Sequence, residues 1–90
     1  MQFQVGMLVR ATAGKEQDGF YLVTALGQGF ALIADGKRRT LAKPKRKNIR
    51  HLAPTGTVWE TEGLTDKALR TRLREYAAKG GNGFVKGRFD

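Results

Sequence analysis

The chain has no cysteine, which excludes disulfides, thiolate nucleophiles and Cys-ligated metal sites, and suits a reducing cytoplasm. Histidine and tryptophan occur once each and proline twice. His51 lies beside Leu52 with no Cys, Asp or Glu near it in the sequence, so it reads as a partly packed side chain or a phosphate donor, not as a catalyst. Apolar runs fall far short of the roughly 20 residues that span a bilayer. The opening "MQFQVGMLVRATAG" lacks the basic start and apolar run of an export signal; the expectation is a soluble, cytoplasmic, non-membrane protein. Enzyme signatures are missing too. There is no metal-ligand cluster, no Ser/His/Asp set and no phosphate-binding glycine loop opening a helix, since "GQGFAL" leads into a strand. No enzyme, cofactor or metal is expected.

The most informative scarcity is of acid. No Asp or Glu falls between Asp35 and Glu60, and this gap holds "GKRRTLAKPKRKNIRHL". Lys37, Arg38, Arg39, Lys43, Lys45, Arg46, Lys47 and Arg50 are 8 of the 17 Lys and Arg residues. The remainder of the chain carries nine basic against eight acidic residues, so nearly all of the +9 formal charge is local. A solubility surface normally interleaves both signs. The one-sided run favours a polyanionic partner, whose phosphates release counterions on meeting Lys and Arg.

With 90 residues and 40% hydrophobic content, one domain with a modest core is expected, burying about 60% of its unfolded surface. Glycine cuts the first half into short strands rich in Val, Leu, Phe, Tyr and Thr: "MLVRAT" (7–12), "FYLVTAL" (20–26), "FALIA" (30–34), "KRRTLA" (37–42) and "NIRHL" (48–52). Gly27 and Gly29 bound a tight hairpin turn. Asp35-Gly36 predicts a two-residue hairpin with both residues at positive φ, placing Ala34 opposite Lys37, Ile33 opposite Arg38, Leu32 opposite Arg39 and Phe30 opposite Leu41. About five strands in some 50 residues should curl into a small barrel, because open hydrophobic edges invite aggregation. The expected core is Val9, Leu22, Val23, Phe30, Leu32, Ile33, Leu41, Ile49 and Leu52. Pro44 lacks a ladder donor, so "AKPKRK" reads as a loop leaving the sheet with its cations presented to solvent.

Residues 54–64 read as a linker after a barrel over 1–53, with Pro54 and Gly56 as breakers. Trp59 within it either packs the linker on the barrel or stacks on a base or partner, packing being favoured. A helix follows over 65–79, with Thr65 as N-cap, Asp66 in the first turn, Leu69, Leu73, Tyr76 and Ala77 along one face, and Gly80 as the C′ stop. Its outer face, with Arg70 and Arg74, is a secondary RNA or partner contact. At about four turns the helix must dock on the barrel or on a partner. The tail 80–90 is expected to be flexible, with Lys86 and Arg88 flanked by Phe84 and Phe89.

"GMLVRATAGKEQDGFYLVTAL" resembles a KOW motif, with a strand through Val9, a turn glycine at Gly14, a polar loop and a second apolar strand. With "LIADGKRRTLAKPKRKNIRHL" it is similar to bacterial KOW-domain RNA-binding proteins related to an archaeal and eukaryotic large-subunit ribosomal protein family. The likeness covers residues 5–52 and, more loosely, the helix. It implies an SH3-like barrel, no catalysis, and binding to structured RNA such as ribosomal RNA. Gly14 and Lys15 carry over to the motif's turn, where Glu16 and Asp18 introduce acid.

The fold expectation is therefore mostly β: a small SH3-like barrel of about five strands followed by one C-terminal α-helix. The expected RNA-binding set is Lys15, Lys37, Arg38, Arg39, Lys43, Lys45, Arg46, Lys47, Arg50 and His51. Phosphate contacts position a protein, whereas base reading needs stacking aromatics or hydrogen bonds to splayed bases. Phe3, Phe20, Tyr21 and Phe30 sit where core packing claims them, so recognition of RNA shape with weak sequence preference is expected, in a ribosome-associated or translation accessory. Two readings stay open: a protein-interaction module using the barrel or the Leu69, Leu73, Tyr76 face, and a DNA- or transcription-associated KOW protein.

Overall fold

A computed structural model describes residues 3–15 and 17–79. Five strands run in order: β1 (Met7–Ala11), β2 (Phe20–Gly27), β3 (Phe30–Ala34), β4 (Lys45–Asn48) and β5 (Leu52–Val58), followed by α1 (Asp66–Ala78). They form one antiparallel sheet in the spatial order β4-β3-β2-β1-β5. The mostly β fold with one C-terminal helix agrees with the sequence reading.

Chain length explains why this sheet curls. Laid flat, edges β4 and β5 would stand about 19 Å apart at the usual strand spacing. Only the one-turn 3-10 helix Ile49–His51 joins them, and at about 2 Å per residue it spans less than half that distance. The edges must therefore approach, although β4 and β5 do not pair and the sheet stays unclosed. Bulges supply the bend, one between Val23 and Ala25 on β2 and another where Met7 and Val9 pair with Val58 and Pro54. At the second, Thr55 Oγ1 donates to the Leu8 carbonyl at 2.8 Å, giving that carbonyl a side-chain partner.

Curling gives the sheet two buried faces. Met7, Val9, Ala11, Tyr21, Val23, Ala31, Ile33 and Leu52 fill the concave side, with Phe3 and Ile49 against them. Leu8, Leu22 and Ala34 face the other way and meet Leu69 and Leu73 of α1. This second cluster is why β1 and β2 are buried on both faces, and it shows that the helix docks on its own sheet. Of the expected core, Val9, Leu22, Val23, Ile33 and Leu52 are buried, while Phe30, Leu32, Leu41 and Ile49 are only half-buried.

The hairpin at Gln28-Gly29 is as expected, with Gly27 opposite Phe30 and Gly29 at φ +80°. Two other expectations are overturned. Residues 37–42 are not a strand: β3 pairs with Lys45–Asn48, setting Phe30 against Asn48, Ala31 against Lys47, Leu32 against Arg46 and Ile33 against Lys45. Ala34, Ile33, Leu32 and Phe30 thus do not face Lys37, Arg38, Arg39 and Leu41, and the "KPKRK" run becomes strand just after Pro44, whose missing donor precedes an edge strand. Asp35 does not adopt positive φ; Gly36 alone does, at +77°. Residues 52–58 of the expected linker are strand β5, and "NIRHL" is mostly the 3-10 turn. Pro54 is tolerated because β5 is an edge, and Gly56, at φ +85°, lies in the bulge.

The helix begins as read. Thr65 Oγ1 accepts from the Ala68 backbone N–H at 3.1 Å, and α1 ends at Ala78. Gly80, the tail and Glu16 lie outside the described residues. Thr65→Ala is expected to cost about 1 kcal/mol, a fall of roughly 4 to 8 °C in melting temperature. An unchanged melt by circular dichroism would show that the cap contributes nothing.

Candidate nucleic-acid interface

The segment between β3 and β4, residues 35–44, carries much of the basic run, and its backbone is held by side chains rather than by a ladder. Asp35 Oδ1 accepts from the Lys37 and Arg39 backbone N–H groups, each at 2.9 Å. In return the Arg39 carbonyl accepts from the Asp35 and Gly36 N–H groups at 2.8 and 3.0 Å. Lys43 N–H reaches the Thr40 hydroxyl at 3.1 Å. A short polar side chain at a loop start diverts the backbone from strand pairing in this way.

Helix α1 then clamps the loop from outside. Asp66 Oδ1 accepts from Leu41 N–H at 2.8 Å, and Arg70 Nη1 donates to the Gly36 carbonyl at 2.7 Å. Gly36 is buried against the helix backbone, and a Cβ there would overlap the Asp66 carbonyl oxygen. The helix's first turn therefore acts as a jig for the loop. Lys37, Arg38 and Lys43 are exposed on the outside of this frame, whereas Arg39 is half-buried.

On β4 the cations divide by strand alternation. Arg46 is exposed and its guanidinium lies 4.0 Å from the Phe30 ring centroid, a diagonal cross-strand cation–π pair. Lys45 is half-buried. Lys47 corrects the expectation of presented cations: it is only 8% exposed, and its Nζ donates to the Ala13 carbonyl at 2.9 Å. Its long stem fills space on the concave side while its ammonium ties the β4 edge to the loop after β1. Lys47 thus helps to span the unclosed side of the sheet.

Arg50 and His51, in the 3-10 turn, are exposed. Asn48 Oδ1 caps this turn by accepting from Arg50 N–H at 2.8 Å, and the His51 carbonyl accepts from Thr12 N–H at 2.8 Å. These bonds join the turn to the β1–β2 loop that bears exposed Lys15. That loop has Gly14 at φ +83° and Asp18 at φ 72°, and Asp18 Oδ1 pairs with Arg10 Nη2 at 2.9 Å on the surface.

Trp59 is half-buried against the second cluster, edge-on to Tyr76 with ring centroids 6.2 Å apart and Arg72 at 5.9 Å from its ring. Packing thus accounts for Trp59. Arg70 is committed to the Gly36 carbonyl, while Arg74 is exposed. The Phe30–Arg46 pair and the tie of Asp66 to the loop were not readable in advance. A cross-strand pair needs the correct β3–β4 register, and the Asp66 contact joins residues 25 apart in sequence.

Among the described residues, no three His, Cys, Asp or Glu side chains are grouped to hold a metal ion, and no helix is long and apolar enough to cross a membrane. In comparison with known proteins, no protein-family model matches the chain and no curated protein matches it.

Proposed function

We propose that this protein is a non-enzymatic RNA-binding protein that meets the phosphate backbone of structured RNA. The observation that carries the reading is the presentation of Lys37, Arg38, Lys43, Arg46 and Arg50. All five are exposed within a stretch, 36–59, that holds no acidic residue. Their backbone frame is fixed by other side chains, so few degrees of freedom are lost when they engage phosphates. Phosphate contact of this kind follows backbone shape and discriminates weakly between sequences. The resemblance to KOW proteins directs the proposal to ribosomal RNA and to a cytoplasmic accessory of the ribosome or translation.

The protein-partner reading loses one of its surfaces. Leu69 and Leu73 are covered by the sheet, with Tyr76 packed against the same cluster, which leaves that face no room to grip another chain. DNA contact by the same cations is separated from RNA contact by the deciding experiment: crosslinking in cells, sequencing of bound nucleic acid, and sedimentation with ribosomal subunits. Enrichment at one ribosomal RNA helix with co-sedimentation is the expected result. Diffuse or absent crosslinks would overturn it. In vitro, Arg46→Ala should weaken binding to every RNA tested by a similar factor and flatten the log-log salt dependence by about one unit. An unchanged slope would remove Arg46 from the footprint.

A further inference from the structure

Where α1 passes the start of β2 lies an open groove of about 610 Å³ that phosphate binding by the basic loop leaves unused. Its apolar lining comes from Phe20, Tyr21, Leu73 and Ala77. The Phe20 ring is braced edge-on by Tyr76, with centroids 5.2 Å apart and planes at 80°, so it is a fixed wall. Cations reach the groove from two elements, Lys37 from the loop and Arg70 and Arg74 from the helix, and the carboxylates of Asp18 and Asp35 also border it.

This mixture of charges selects among ligands. A bare phosphate would meet two carboxylates, and a basic peptide would meet three cations. Asp35 Oδ1 is already engaged by the Lys37 and Arg39 N–H groups, and Asp18 Oδ1 by Arg10. A carboxylate accepts through two oxygens, however, and each retains capacity for a donor. The ligand that matches is anionic at one end and carries a planar apolar body edged with N–H donors at the other.

We propose that the groove seats one unstacked nucleotide of a bound RNA. Its base lies against the Phe20 and Leu73 wall, its phosphate turns to exposed Lys37 and Arg74, and its N–H edge turns to Asp18 and Asp35. The proposal rests on the RNA-binding reading above and adds a base contact that the loop cations do not offer.

The test uses the full chain and two RNA hairpins identical except for one bulged nucleotide. The bulged hairpin should bind about fivefold or more tightly, since stacking of one base is worth at least about 1 kcal/mol. Backbone amide shifts on binding should include Gly19, Phe20, Leu73 and Ala77. Ala77→Gln, at an exposed helix position, should fill the groove and erase the preference while leaving affinity for the unbulged hairpin unchanged; Arg74→Ala should reduce the preference. Equal binding of the two hairpins, with shifts confined to 37–50, would overturn the nucleotide site and leave the RNA-binding reading standing. Binding of neither hairpin would overturn both.

Discussion

Replacing Gly36 by alanine should lower the melting temperature by at least about 8 °C, from a cost of roughly 2 to 5 kcal/mol. Two penalties combine at this position. Gly36 sits at φ +77°, where a Cβ crowds its own backbone. That Cβ would also overlap the Asp66 carbonyl oxygen and lie 3.1 Å from the Arg70 nitrogen. Both obstacles are helix backbone, which cannot swing aside as a side chain does, so α1 must lift from the loop. Leu69 and Leu73 would lose part of their contact with Leu8, Leu22 and Ala34 in consequence. Gly29→Ala is the control. Its φ is +80° but nothing lies within 4 Å of the added Cβ, so only the conformational cost of about 1 to 2 kcal/mol applies. Thermal melts of the two variants separate the effects, and equal losses would show that the helix does not press on Gly36.

This contact also explains where the sequence was legible and where it was not. Strands β1, β2 and β3 and helix α1 are specified locally, by β-branched and aromatic residues between glycines and by the Thr65 cap with Leu69 and Leu73 four apart. The placement of β4 is not local. "KRRTLA" and "KRKN" are both plausible strands after an Asp-Gly pair. The choice is made by the Asp35 carboxylate capturing two amides and by Asp66 and Arg70, some 30 residues on, holding the loop in place. β5 was hidden by Pro54 and Gly56, which break a central strand but are accommodated at an edge and in a bulge. The candidate interface follows the same pattern. The excess of cations between 37 and 50 was plain from composition, and most of these residues are exposed. Lys47 was indistinguishable from its neighbours in sequence, and only the curl of the sheet directs its Nζ to Ala13.

The division between presented and structural cations leads to the largest effect on binding. Changing Lys37, Arg38, Lys43, Arg46 and Arg50 together to glutamine should weaken RNA binding on the order of 10³-fold near 0.15 M salt and bring the log-log salt slope from roughly −4 to −5 close to zero. The magnitude follows from counterion release, at about 0.9 ions for each phosphate neutralised. The fold should survive, because the loop's backbone bonds are made by the Asp35, Thr40, Asp66 and Arg70 side chains, none of which is altered. Only the Arg46 contact with Phe30 is lost, an exposed pair worth about 0.5 to 1 kcal/mol. Lys47→Met supplies the opposite pattern: it keeps the apolar stem but removes the donor to Ala13, so stability should fall while the salt slope stays the same. Filter-binding titrations across a salt series, with a thermal melt of each variant, read both quantities. If the five-fold variant kept its affinity and slope, the charge would serve solubility or steering, and an interface on another face of the barrel would have to carry any binding. If Lys47→Met instead flattened the slope in a stable protein, the β4 edge would have to open for its ammonium to reach a phosphate.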